Sequence, residues 1–291
     1  RELVQLTDKT WIFTGPTCIG VIDTEEGVFL IDSGNDKDAG RLIMKKLKER
    51  GRPLKAVINT HSNADHIGAG SYLQNTTGCD IWSSPIEAAF IGSPVLEPSF
   101  LWGGYPFKAL RSKFFEARPA EVTRIISVDP APAGLSFIPL PGHFFGQIGV
   151  LTDDGVFFIG DSLFGPEVLD KYPIPFIYDV NAFKKSIETS LDTKADHYVL
   201  SHGGESRDIA ASARKNLDRA GEIEAFLFDA IAEAKVFDDI LKDVCDHFGV
   251  NLDHGQYVLT GSTVKSFLSY MADSGKISYS FEDNRMFWRR I

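Results

Sequence analysis

Thr60-His61-Ser62-Asn63-Ala64-Asp65-His66 follows directly on the apolar run Leu54–Asn59 and precedes a helical stretch that reaches about Asn75. A short apolar run bounded by polar residues reads as a buried strand, so this heptapeptide lies on a strand-to-helix turn. There His61, Asp65 and His66 can converge on one point. Imidazole nitrogen and carboxylate oxygen together suit zinc, iron or manganese. The plainer reading makes the same residues a polar turn capping the next helix, with Asp65 near its N-terminus.

Three more polar positions stand beside strand-like runs. Leu140-Pro141-Gly142-His143 leads through Gly146 into a strand over 147–152, followed by the hairpin turn Asp153-Asp154-Gly155. Phe157-Phe158-Ile159-Gly160-Asp161 delivers an aspartate at a strand end, and Val199-Leu200-Ser201-His202-Gly203-Gly204 delivers a histidine. Ligands collect at the carboxyl ends of strands in α/β sheets. Taken singly, each of these residues is better explained by a structural role.

Their joint order is more specific. An H-x-x-x-D-H cluster, then P-G-H, G-D and S-H-G, together with the early Leu30-Ile31-Asp32-Ser33-Gly34, resembles the metallo-β-lactamase superfamily from about Val4 to Gly204. The resemblance implies an α/β fold: an αβ/βα four-layer sandwich with a metal site at one edge between its two sheets. It implies a first ion held by His61, the residue at 63 and His143, and a second held by Asp65, His66 and His202, with Asp161 bridging them. Asp65 is then the catalytic candidate, as the ligand that orients the attacking hydroxide, and Asp32 a residue that orients a ligand or merely makes a turn.

Two positions refine the reading. The family motif is H-x-H-x-D-H, and this chain has Asn63 at the second histidine. An amide oxygen is a weaker donor than imidazole to a borderline metal, so the first site is expected to be weakened or empty; the alternatives are that Asn63 still ligates and two ions bind normally, or that the site is degenerate. Asp161 matches the bridging aspartate of the hydroxyacylglutathione hydrolases and departs from the zinc β-lactamases that carry cysteine there. The implied activity is hydrolysis of a thioester, lactone or related ester by a metal-bound hydroxide, formed because a divalent ion lowers the pKa of water from ~16 to about 7. The expected cofactor is a divalent metal, zinc first, as one or two ions, with iron or manganese as alternatives. A phosphodiesterase or nuclease, a mononuclear iron sulfur dioxygenase and a non-catalytic metal-binding scaffold stay open.

The rest of the chain sets the frame. Short strands are predicted at Thr10–Thr14, Cys18–Asp23 and Gly27–Ile31, and helices at Asp36–Arg50 and Asn181–Leu191. Residues 85–119 have no clear period but many aromatics, among them Phe90, Phe100, Trp102, Tyr105, Phe107, Phe114 and Phe115, with 102–106 expected as a loop. These aromatics, with Phe144 and Phe145, are candidates for a substrate pocket, a satellite core or a dimer contact. Beyond residue 205 the pattern changes to helices at Ile209–Lys235, Asp238–Phe248 and Ser262–Asp273 and a terminal hairpin. We therefore expect a catalytic domain over 1–205 and a small helical, winged-helix-like domain over 206–291.

Composition excludes several classes. With 291 residues, 43% hydrophobic and 24% charged, the chain is that of a soluble globular protein. No run approaches the roughly 18 apolar residues of a membrane span, and the chain, which begins at Arg1, shows no signal-peptide pattern. A net charge of −10 argues against a general nucleic-acid binder. The C-terminal part, with 11 Lys/Arg against 14 Asp/Glu, offers no cationic face either. Cys18, Cys79 and Cys245 are too scattered for a disulfide framework, which fits a reducing, cytoplasmic setting. The expected partner is a small-molecule substrate, with a homodimer possible and no membrane.

Overall fold

The computed structural model describes residues 1–291. Its first sheet has seven strands in chain order: β1 (Leu3–Gln5), β2 (Thr10–Phe13), β3 (Ile19–Thr24), β4 (Gly27–Ile31), β5 (Leu54–Ile58), β6 (Asp80–Ser83) and β7 (Arg124–Ile125). Pairing is antiparallel from β1 to β4 and parallel from β4 to β7. The second sheet contains β8 (Leu135–Pro139), β9 (Ile148–Thr152), β10 (Val156–Phe158), β11 (His197–Leu200) and β12 (Gly204–Ser206), in the order β12-β11-β10-β9-β8.

Period-2 alternation explains the layering. In β4, Val28 and Leu30 face an outer cluster with Ile43, Leu47 and Leu73. Ile31, in contrast, joins an inner cluster with Ile58, Val150, Phe158 and Val199, drawn from both sheets. In the second sheet Phe157, Tyr198 and Leu200 point outward to Phe183, Ile187 and Ile223. Helix α1 (Lys37–Glu49), the short α2 (Ala64–Ile67) and α3 (Gly70–Thr77) lie on the first-sheet side. α4 (Pro85–Gly92), α5 (Leu96–Trp102) and α6 (Pro166–Lys171) come next in the chain, and α7 (Val180–Asp192) and α8 (Ala210–Ala230) cover the second sheet. The result is the expected αβ/βα four-layer order. The two sheets meet closely at Gly20, where a Cβ would lie 2.5 Å from Phe158 Cε1, so any side chain there would push the layers apart.

The remaining elements are β13 (Lys235–Val236), α9 (Phe237–Phe248), α10 (His254–Asp273), β14 (Ile277–Glu282) and β15 (Arg285–Arg290), with a small sheet ordered β13-β15-β14. Their apolar faces, including Ile240, Val244, Phe267 and Met271, belong to the same buried cluster as Phe157 and Phe183.

Several elements differ from the sequence expectation. The helix expected beyond His66 is split: α2 begins already at Ala64, and α3 follows after a break at Gly68, whose Cβ would lie 2.1 Å from the Asn35 carbonyl oxygen. Residues 85–102 are mostly helical, because α4 is apolar nearly all round and has no amphipathic period to read. The loop expected over 102–106 begins one residue later, at the left-handed Gly103. α10 starts at His254 rather than Ser262. Asp253 caps it by accepting from Gln256 N–H, and the poor helix formers Gly255, Thr260 and Gly261 conceal its first turns.

Candidate metal centre

Each site residue sits just beyond a strand end or at a turn. β4 ends at Ile31 and is followed by Asp32, which takes a left-handed φ of 63° that aspartate tolerates better than most residues. That turn aims its carboxylate at the β5–α2 loop. Thr60 donates to it from N–H and from Oγ1, both at 2.8 Å, and His66 Nδ1 at 2.8 Å. Asp32 thus orients a histidine as well as making the turn. In Pro141-Gly142-His143 the glycine is required, since a Cβ would lie 2.1 Å from the backbone nitrogen of Phe183.

The hydrogen bonds assign one tautomer to four histidines. His66 Nδ1 donates to Asp32, His143 Nδ1 to the Phe176 carbonyl at 2.9 Å, and His202 Nδ1 to the Pro16 carbonyl at 2.6 Å. Thr60 Oγ1, whose own proton goes to Asp32, accepts from His61 Nδ1 at 3.1 Å. Every Nδ1 is engaged from behind, which leaves every Nε2 facing inward, the arrangement that outer hydrogen bonds impose on metal-binding imidazoles.

The inward atoms converge. Ligand atoms of His61, His66 and Asp161 lie within 4.8 Å of one another, as do those of Asp65, His66 and His202. Asp161 Oδ2 is 3.3 Å from His202 Nε2 and 3.6 Å from His143 Nε2, and its Oδ1 is 3.5 Å from His66 Nε2. His61 Nε2, His66 Nε2 and Asp161 Oδ1 are buried without a hydrogen-bond partner. Unpaired buried polar atoms are costly, and their convergence fits a divalent cation. All seven residues singled out in the sequence meet here. His66 belongs to both groups, and His143 Nε2 lies 3.0 Å from Asn63 Oδ1.

Charge reinforces the geometry. Burial alone would raise the Asp161 carboxyl, but His202 and His66 hold it well below the usual range. Burial alone would lower His66 and His202, but the neighbouring carboxylates raise both well above an ordinary imidazole. Burial, reinforced by His66, holds His61 well below it. Raised imidazoles hold a proton on Nε2 to higher pH than a free one, and a metal ion must displace it. Ion binding should therefore release protons, and apparent affinity should rise with pH until those raised values are passed. Calorimetric titration at pH 7 in buffers of different ionisation heat reads the release directly; heats independent of the buffer would contradict it.

Several residues of the site carried no sequence signal. Thr17 Oγ1 donates to Asp65 Oδ2 at 2.9 Å. Buried Glu87 accepts from Ser62 N–H at 3.0 Å and Gly146 N–H at 2.6 Å, tying together the loops that bear His61 and His143. Buried Glu97 on α5 accepts from Asn63 Nδ2 at 2.8 Å. Thr263 on α10 accepts from Ile177 N–H at 3.0 Å and donates to the Pro175 carbonyl at 3.1 Å. That clamps the peptide on either side of Phe176, whose carbonyl holds His143. The sequence separations, from 25 to 88 residues, hide these contacts.

Around His143 the walls are aromatic. Phe164 and Phe176 lie 5.7 and 5.4 Å from its ring, and Phe145 stacks on Tyr178 at 4.0 Å. Asp32 is the outer group whose loss should be most visible. Asp32→Ala should weaken metal binding by about 10–100-fold, measured by chelator competition; unchanged affinity would show that His66 needs no such support.

Among curated proteins, the chain is 28% identical over 148 residues to the hydroxyacylglutathione hydrolase GloC of Haemophilus influenzae, a match covering 50% of this chain and 66% of that protein, just under two-thirds. It is 28% identical over 197 residues to a probable metallo-hydrolase of Streptococcus pyogenes, covering 66% of this chain and 81% of that protein. In fold it is similar to a β-lactamase domain protein from Burkholderia ambifaria, with a TM-score of 0.77 at 16% identity over 100% of this chain and 94% of the other. It is likewise similar to a metallo-β-lactamase family protein from Thermus thermophilus, with a TM-score of 0.72 at 16% identity over 99% and 97% of the two chains. The model of the metallo-β-lactamase superfamily matches residues 13–202, well over half of the chain, and the protein belongs to that superfamily.

Proposed function

We propose that the protein is a metal-dependent hydrolase of a thioester, lactone or related ester, with zinc as its ion. The observation that carries this reading is the common orientation of four imidazoles. With each Nδ1 held by an oxygen, four Nε2 atoms face Asp65 and Asp161 in one buried cluster. Such a mixed nitrogen and oxygen donor set suits zinc. The ester class is supported by the relatives named hydroxyacylglutathione hydrolase, and by a carboxylate, Asp161, where many zinc β-lactamases carry cysteine.

His61, His66, His143, His202, Asp65 and Asp161 would hold the metal. When bound, a divalent ion lowers the pKa of a water and polarises the scissile carbonyl. Asp65, one-third exposed where the other acidic ligand is buried, faces the open side of the cluster. Its carboxylate, fixed by Thr17, would accept a hydrogen bond from the attacking water and hold it in line. Phe164, Phe176 and the Phe145–Tyr178 stack would exclude bulk water and receive an apolar acyl portion.

We read residues 206–291 as a winged-helix-like module that braces the site, on the basis of its helix–strand–helix–helix–strand–strand order and the Thr263 clamp. The test of function is turnover of generic thioesters, lactones and aryl esters by the metal-loaded protein. Hydrolysis abolished by chelation supports the proposal. RNA cleavage or persulfide-dependent oxygen uptake in place of ester hydrolysis would overturn it.

A further inference from the structure

Asn63 is the residue that departs from the superfamily motif, and its surroundings explain how it serves. His143 donates its Nδ1 proton to the Phe176 carbonyl, so its Nε2 presents a lone pair. Asn63 Oδ1, which also carries only lone pairs, faces that nitrogen at 3.0 Å. With the ring proton on Nδ1, both atoms present lone pairs, and a cation beside them would hold the two together. Two donors each about 2.0–2.1 Å from one tetrahedral zinc stand only ~3.3 Å apart, so the pair has the spacing of neighbouring ligands.

What fixes Asn63 from behind is Glu97. Its Oε1 accepts from Asn63 Nδ2 at 2.8 Å, and that is the hydrogen bond that sets which end of the amide faces the cluster. α5, which carries Glu97, is itself anchored: Leu101 at its far end packs with Leu110, Phe115 and Val258 of α10. Burial pushes the Glu97 carboxyl well above the usual range, but its Oε1 still accepts from the amide, and an amide N–H that donates shifts electron density onto its own oxygen, because hydrogen-bonded groups polarise one another in a buried site. The amide is thereby a better donor than a free asparagine.

We propose that Glu97 makes Asn63 a metal ligand: its carboxyl oxygen aims and polarises the amide so that Oδ1 completes, with His61 and His143, the first-ion site. Glu97 is a positioning residue, acting through Asn63. The inference rests on the metal-hydrolase reading and sharpens it: the Asn63 departure does not leave this centre with one ion.

The test is a zinc titration with a competing chelator, read as stoichiometry and affinity rather than as turnover, with folding followed by circular dichroism. The unmutated protein should bind two ions. Glu97→Leu should weaken one of them by about 10–100-fold, as loss of an outer partner does, and leave the other unchanged. Asn63→Ala should weaken the same ion. Asn63→Asp/Glu97→Gln, which exchanges the carboxylate and the amide and keeps a hydrogen bond between them, should restore it, and this pair decides the matter if Glu97→Leu does not fold. Two ions held at full affinity by Glu97→Leu, or a doubly substituted protein that folds but lacks the second ion, would overturn the proposal. A single ion in the unmutated protein would overturn it too while leaving the metal-hydrolase reading standing; no ion at all would remove that reading itself.

Discussion

His202→Ala is expected to lose most of its bound metal and, with it, ester hydrolysis. Three features concentrate the effect there. Its Nε2 lies 3.1 Å from Asp65 and 3.3 Å from Asp161, so it belongs to the group that also contains His66. Its Nδ1 is tied to the Pro16 carbonyl, which preorganises the ring. And its side chain is about one-quarter exposed, so alanine leaves room for water rather than an apolar cavity. The fold should therefore survive. Removing an outer partner of a metal ligand costs about 10–100-fold in affinity; removing the ligand itself should exceed that range. Metal content after gel filtration, with circular dichroism as the folding control, measures it. Full metal content in a folded His202→Ala protein would remove this residue from the centre.

The second large effect is expected at Asp161. It is the one residue within 3.6 Å of three imidazoles, those of His66, His143 and His202. Asp161→Asn keeps the shape and removes the charge, so it separates electrostatics from packing. Loss of several kcal/mol of charge stabilisation, ~4 kcal/mol for instance, corresponds to a turnover decrease on the order of 10³-fold. A second readout does not depend on turnover. Since Asp161 helps to raise His66 and His202, both imidazoles should titrate lower in the metal-free variant, as followed by NMR. Turnover within a few-fold of the unmutated protein, with unshifted imidazoles, would make Asp161 a turn residue.

What the sequence made legible was the part of the site written at strand ends. His61, Asp65 and His66 cluster within one turn, and His143, Asp161 and His202 each follow a recognisable apolar run. The strands were legible as short continuous apolar runs, because β4 and β10 are buried on both faces. The supporting residues were not legible. Glu97 lies in a helix whose apolar residues show no period, and its partner is 34 positions away. Thr263 sits 88 residues from Pro175, on a helix whose glycines and threonines conceal its first two turns. Only the packing of α10 against the second-sheet layer brings it to the Phe176 peptide. Asn63 was readable as a departure from the motif, but its meaning depends on Glu97, which no local pattern announces.

The central claim is that this cluster is a metal centre that drives hydrolysis. Elemental analysis of the purified protein, coupled to ester turnover before chelation, after chelation and after zinc is returned, tests it most directly. The account predicts tightly bound divalent metal, loss of turnover in parallel with loss of that metal, and recovery with zinc. Full turnover by protein stripped of metal, or stripped protein that takes up no divalent ion, would contradict it.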